Sequence, residues 1–131
     1  MLKEKNVIVV DIDGTLAIAD GSGEYTSAIV CVDMRKKLLE LKSQGYWVIL
    51  YTSRNMRTHA GNIGLILKHT APVLIEWLEV NKIPYDELHF GKPWCGHDGF
   101  YVDDRAVRPR EFVTKSIDEL KILVNNDRLD K

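Results

Sequence analysis

The chain predicts an α/β protein of the three-layer αβα, Rossmann-like class, with a mainly parallel central sheet and helices on both of its faces. Three observations predict it. Short strand-like runs recur along the sequence, most plainly the apolar, β-branched Asn6–Val10 and the run Tyr46–Tyr51. Segments with helical spacing and helix caps alternate with them. No internal repeat, low-complexity tract or linker interrupts that alternation, which is the pattern of βαβ units.

Asn6-Val-Ile-Val-Val10 reads as a buried parallel strand. Leu16 to Ser27 is small, polar and glycine-bearing, with Gly21 and Gly23, and fits a flap or hairpin over the end of that strand. Asp33 is suited to cap a helix whose apolar positions Met34, Leu38 and Leu41 recur at i, i+4 and i+7, and Gly45 stops it. Tyr46–Tyr51 is a second buried strand and closes at Thr52-Ser53-Arg54. A helix is expected over Thr58 to Lys68, with Gly61 and Gly64 weakening its start. Thr70 caps a helix through about Asn81, with Pro72 tolerated in the first turn. A short strand at Glu87–Phe90 leads into Gly91-Lys92-Pro93, and Gly99-Phe-Tyr-Val102 is a further strand that ends in Asp103-Asp104. Ser116-Ile-Asp-Glu119 is a capping box that opens a last helix. Trp47 and Trp77 sit on apolar elements and are expected in the core, whereas His59 and His69 are expected as solvated helix residues.

The 131 residues fit one domain, 1–131, long enough to bury about two-thirds of its unfolded surface. The 45 % hydrophobic and 28 % charged fractions are ordinary for a soluble globular protein. With a net charge of −1 and no Lys/Arg block, the electrostatic footprint of a nucleic-acid or membrane binder is missing. No apolar run approaches the roughly 20 residues that span a bilayer. Residues 1–5 lack the apolar stretch of a signal peptide, and Cys31 and Cys95 are too few for a disulfide framework. These features point to a cytoplasmic protein with reduced thiols.

Chemistry concentrates where the first strand ends. Asp11 and Asp13 lie two residues apart, so a period-2 backbone can aim both carboxylates into one crevice, with Gly14 following at once. In a parallel α/β sheet the carboxyl ends of strands line one edge, where ligands bind. Thr52-Ser53, Gly91-Lys92-Pro93 and Asp103-Asp104 end the later strands, so the crevice would hold up to four carboxylates, hydroxyls and an ammonium. A carboxylate attacking a phosphate dianion meets repulsion of about 4 kcal/mol per charge pair at 4 Å, with an effective dielectric near 20. A divalent ion and a lysine would remove that barrier. Oxygen-only ligands in an acidic site suit Mg²⁺.

In this order and spacing, Asp11-Ile-Asp13-Gly14-Thr15, Thr52, Lys92 and Asp103-Asp104 resemble the four motifs of the haloacid dehalogenase superfamily of phosphatases. The resemblance implies a haloacid-dehalogenase-like fold and a Mg²⁺-dependent phosphomonoesterase working through an aspartyl-phosphate. Asp11 would be the nucleophile. Asp13 would be general acid and then base, with its backbone carbonyl on the metal. Thr52 would hydrogen-bond the phosphoryl group, Lys92 would balance charge, Asp103 would ligate the metal and Asp104 would support its water shell. Gly14, Thr15 and Ser53 would adjoin the substrate, and Arg54, Asn62, Arg105 and Arg108 could bind its phosphate or sugar hydroxyls. About forty residues separate Asp13 from Thr52, and about forty Thr52 from Lys92, which leaves no room for an inserted cap domain. The chain thus looks like a capless member, similar to small bacterial phosphatases associated with capsular or cell-surface polysaccharide biosynthesis. Its partner would be a small phosphorylated metabolite, a sugar or polyol phosphate before a nucleotide, and a second copy of the chain could supply the missing lid as a homo-oligomer.

Each motif alone has a plainer reading. Asp-x-Asp-Gly is often a turn, Thr52-Ser53 could cap a helix, Lys92 could be a solvated loop lysine, and Asp103-Asp104 could be loop acids. Trp94 and His97 could wall a pocket or pack a loop, and Cys95, His97, His89 and Cys31 match no structural zinc spacing. Two other classes compete: a receiver-like signalling domain and a non-catalytic module that binds a phosphorylated ligand. The receiver is disfavoured because the second strand ends in Thr52 rather than an aspartate, and the second acidic pair follows the lysine.

Overall fold

Strand β1, Val7–Val10, opens the computed structural model, which describes residues 6–130; residues 1–5, expected to carry no targeting signal, and residue 131 lie outside the described residues. β2 (Ala17–Ile18), a 3-10 turn at Tyr25–Ser27, β3 (Ile29–Val30), α1 (Val32–Ser43) and β4 (Trp47–Thr52) follow. α2 (Ile63–His69), α3 (Ala71–Val80), β5 (Glu87–Phe90), α4 (Pro109–Thr114) and α5 (Ile117–Asp127) complete the order. The chain divides into two compact units, one up to Trp94 and one from Cys95.

The first unit is an α/β arrangement around a parallel sheet of order β1–β4–β5. Val7 to Val10 pair with Trp47 to Leu50, and Ile49 to Thr52 pair with Glu87 to Phe90, all parallel. Parallel neighbours need crossovers. The β2–β3 hairpin with α1 supplies the first, and α2 with α3 the second. The expected flap is thus a true hairpin, with Ala17 opposite Val30. Along central β4, Val48, Leu50 and Thr52 are buried and alternate with half-buried Trp47, Ile49 and Tyr51. β1 departs from the expected full burial: Val10 is buried but Val9, which alternates to the other face, is 59 % exposed.

α1 buries Met34, Leu38 and Leu41 as the spacing predicts, but it begins two residues early, with Cys31 at the N-cap and Asp33 inside the first turn. There Asp33 favours the helix through the dipole rather than through a cap bond. The helix ends in a Schellman motif, in which Tyr46 N–H reaches Leu41 O, Gly45 N–H reaches Lys42 O and Gly45 takes φ +88°. α3 ends the same way, with Ile83 N–H on Leu78 O and Lys82 N–H on Glu79 O, but its left-handed residue is Lys82 at φ 54°. The helix expected from Thr58 starts only at Ile63, since Ala60 (φ 49°) and Gly61 (φ 75°) turn the backbone left-handed. Thr70, expected to cap α3, has helical backbone angles and makes no cap bond; its hydroxyl donates instead to Asn55 Oδ1 at 2.8 Å. Asp86 clasps the sheet: both its oxygens accept from Lys42 Nζ at 2.8 and 2.7 Å, and Oδ2 also accepts the Val48 N–H at 2.7 Å. Burial alone would push its carboxyl up, but the Lys42 ammonium and the Val48 amide outweigh it and hold Asp86 below the usual carboxylate range. Trp77 is buried as expected and its indole donates to Ala28 O at 2.9 Å.

In the second unit the expected strand at 99–102 does not form. Its apolar side chains lie open, with Phe100 79 % and Val102 89 % exposed. Apolar β-propensity does not make a strand without a ladder partner. The capping box is as predicted: Ser116 Oγ accepts the Glu119 N–H at 3.2 Å and Glu119 Oε1 accepts the Ser116 N–H at 2.9 Å. α4 was not expected, although Pro109 at its first turn and Glu111, whose Oε1 accepts the Arg108 N–H at 2.8 Å, are helix-start signals. Phe112 of α4 and Leu120 of α5 are the unit's buried hydrophobics. No helix among the described residues is long and apolar enough to cross a membrane.

Candidate functional site

Ile12 is fully buried, and its carbonyl accepts the N–H groups of Thr15, Leu16 and Ala17 at 3.1, 2.8 and 2.9 Å. That anchor, with Gly14 at φ +86°, locks the loop after β1 and leaves Asp11 and Asp13 on either side of the buried residue. Gly14 also donates its N–H to Ala17 O at 2.8 Å.

The two carboxylates have different partners. Asp11 accepts the Thr15 hydroxyl on Oδ2 at 3.2 Å and faces Lys92 Nζ from Oδ1 at 3.4 Å. Lys92 arrives there because Gly91 turns at φ +90° beyond β5 and the Lys92 N–H bonds Thr52 O at 3.2 Å. Thr52 ends β4 in the core, and its hydroxyl accepts the Arg54 N–H at 3.0 Å. Asp13 is held by Arg54 in a fork, Nε at 3.1 Å and Nη2 at 2.8 Å. The guanidinium is almost wholly buried, at 3 % exposure for the residue, and its face lies 4.0 Å from the Tyr25 ring centroid. Burial, with the Asp13 carboxylate adding to it, pushes the Tyr25 phenol above its ordinary value although Arg54 opposes, so the hydroxyl keeps its proton at neutral pH.

One guanidinium nitrogen, Arg54 Nη1, is buried and has no hydrogen-bond partner among the described residues. Arg54 also lines a cavity of about 160 Å³ together with Tyr25, Asn55, His69, Thr70 and Val73. Asn55 sits there at φ 59°, its Oδ1 taken by Thr70. Of these residues only Arg54 was singled out from sequence. Nothing local distinguishes the other five, because the cavity is assembled from the 3-10 turn, the loop after β4 and the α2–α3 junction.

Among the expected substrate residues, Asn62 is the N-cap of α2, its Oδ1 accepting the Leu65 N–H at 3.1 Å. Ser53 accepts the Met56 N–H on its carbonyl at 3.0 Å. Trp94 lies beneath Arg57, whose guanidinium carbon is 5.6 Å from the ring centroid. His59 and His69 stack at 5.7 Å, with His59 in a turn rather than a helix. Asp103, Asp104 and Arg105 belong to the second unit and are exposed. Asp103 Oδ1 accepts the Arg105 N–H at 2.8 Å, and Asp104 Oδ2 lies 3.6 Å from Arg128 Nε. The described residues contain no group of three or more His, Cys, Asp or Glu side chains gathered to hold a metal. The first unit therefore brings Asp11, Asp13, Thr15, Thr52, Arg54 and Lys92 into one chain of contacts.

No protein-family model matches the chain, and no curated protein does. Among solved structures, an MCSG target protein from Vibrio cholerae is similar over 94 % of this chain and 99 % of its own, with 45 % identity and a TM-score of 0.90. A chain of a Pnkp1/Rnl/Hen1 complex is similar at a TM-score of 0.51 and 23 % identity over 84 % of this chain, which spans only 34 % of that larger one. The second likeness is one of fold.

Proposed function

We propose, from the premise that this chain belongs to one family with the Vibrio cholerae protein, that it is a Mg²⁺-dependent phosphomonoesterase using an aspartyl-phosphate on a small phosphorylated metabolite such as a sugar or polyol phosphate. The fold we assign to it is the three-layer, capless form of the haloacid dehalogenase superfamily. One observation carries the reading: two carboxylates two residues apart at the end of β1 have separate cationic partners, Lys92 on Asp11 and Arg54 on Asp13.

Those four charges cancel. A phosphate monoester brings about two negative charges at neutral pH, so its arrival beside Asp11 leaves a deficit that a divalent cation restores. The donors are oxygens, as Mg²⁺ requires, and the ion needs only one or two protein carboxylates beside water and substrate phosphate. Asp11 and the Asp13 carbonyl would hold it. When bound it neutralises the phosphoryl oxygens.

Asp11 Oδ attacks phosphorus, the ester P–O bond breaks, and the leaving oxygen takes a proton from Asp13. Asp13 then removes a proton from water, whose oxygen attacks the aspartyl-phosphate, and phosphate leaves with Asp11 restored. Lys92 offsets charge on Asp11 throughout. The Arg54 fork occupies both Asp13 oxygens, so protonated Asp13 keeps only one of those contacts and regains the second as base. Phosphate release from an aryl phosphate tests the reading. Turnover should need Mg²⁺ and vanish in Asp11→Asn; activity that survives Asp11→Asn excludes the covalent route, and activity unchanged in EDTA excludes the metal.

A further inference from the structure

We infer that the cavity beside Arg54 is the specificity subsite for the part of the substrate beyond its phosphate, and that it takes an oxygen acceptor, a hydroxyl or a carboxylate, onto Arg54 Nη1. The inference rests on the phosphomonoesterase reading and names the substrate class: phosphorylated polyols, sugars or sugar acids, rather than alkyl phosphates.

A buried donor without a partner costs about 1–3 kcal/mol, more for a charged group, and native interiors rarely keep one. Arg54 Nη1 is such a donor, and the same side chain lines a cavity of about 160 Å³. That is space for several waters, or a short polyol segment. The walls suit such a guest. The Tyr25 ring and Val73 offer apolar surface to C–H faces, and the His69 ring and Thr70 hydroxyl offer polar contacts. Tyr25 stays protonated at neutral pH, so it brings no competing anion. The geometry couples the cavity to chemistry, because Nε and Nη2 of the same guanidinium hold Asp13. A substrate oxygen on Nη1 thus registers the substrate against the acid–base group through one rigid planar fork.

The test compares phosphate release from sorbitol 6-phosphate, 6-phosphogluconate, hexyl phosphate and methyl phosphate. Both oxygen-bearing substrates should exceed hexyl phosphate by at least tenfold in kcat/KM, mostly through KM, since a site built around a polar donor rejects a guest that leaves it unpaired. The order of the two tells a hydroxyl from a carboxylate as the preferred acceptor. Val73→Phe, which fills the cavity, should bring sorbitol 6-phosphate down to the kcat/KM of hexyl phosphate, and Tyr25→Leu, on an exposed turn, should raise KM for the polyol. Equal kcat/KM for hexyl and sorbitol phosphates would overturn the inference and leave the phosphatase standing. Should no phosphate be released from any substrate, the phosphatase reading fails and the cavity is judged by NMR. Sorbitol or gluconate should then shift the Arg54 Nε–H and Tyr25 ring signals in the native chain but not in Val73→Phe, and no shift with either overturns the inference.

Discussion

Arg54 changes how Asp13 must be understood. A carboxylate exposed at a strand end would turn freely, whereas a two-point fork from a buried guanidinium fixes its orientation. Asparagine at 13 can accept only one of the two N–H groups and turns its own amide donors against the other. Asp13→Asn should therefore still accept the phosphoryl group on Asp11 but release it slowly. Intact-mass spectrometry after substrate addition should find a chain heavier by one phosphoryl group; normal steady-state turnover would remove Asp13 from the acid–base role. Asp11, Asp13 and Lys92 could be nominated from sequence because a strand end followed by Gly14 or preceded by Gly91 is a local pattern. The Asp13–Arg54 pair bridges 41 positions, and no local pattern encodes which partner a carboxylate will choose.

At the level of elements, the Lys42–Asp86–Val48 clasp ties α1, β4 and the entry to β5 together. Asp86 titrates below its unfolded value, so its contribution is fully present above about pH 4 and is lost as pH falls through the lower, folded value. Asp86→Asn should cost about 2 kcal/mol, as loss of charge-assisted bonds does, and should flatten the acid limb of stability, read from urea unfolding between pH 3 and 7. Lys82 offers the opposite case, since it occupies the left-handed position of the α3 Schellman motif where Gly45 serves α1. Lys82→Gly should gain up to about 1 kcal/mol, seen as a raised Tm. The same caps explain what was legible. Gly45 and the Ser116–Glu119 box act within a few residues, so α1 and α5 were bounded correctly at those ends. α2 begins later than its apolar spacing implies, because that spacing says nothing of the positive φ at Ala60 and Gly61. Thr70 is a cap by residue type, but its hydroxyl is spent on Asn55, a contact across 15 positions.

For the molecule as a whole, the division at Trp94 and Cys95 was invisible in composition, because no linker or charge run marks it. Strand-like chemistry at 99–102 is legible, but pairing is a tertiary fact, and among the described residues β1, β4 and β5 form the parallel sheet. Yet the Vibrio cholerae relative covers nearly all of this chain and is covered nearly end to end, so both units belong to what the two proteins share. Asp103 and Asp104, in the second unit, are the acids that the sequence pattern offers as metal ligands. Asp103→Asn removes one charge while leaving an oxygen for the local Arg105 N–H, so the fold should keep its Tm. The Mg²⁺ concentration for half-maximal turnover should rise at least about tenfold, the scale on which even outer ligand partners act. An unchanged Mg²⁺ requirement would make Asp103 a turn-forming acid with no part in metal binding.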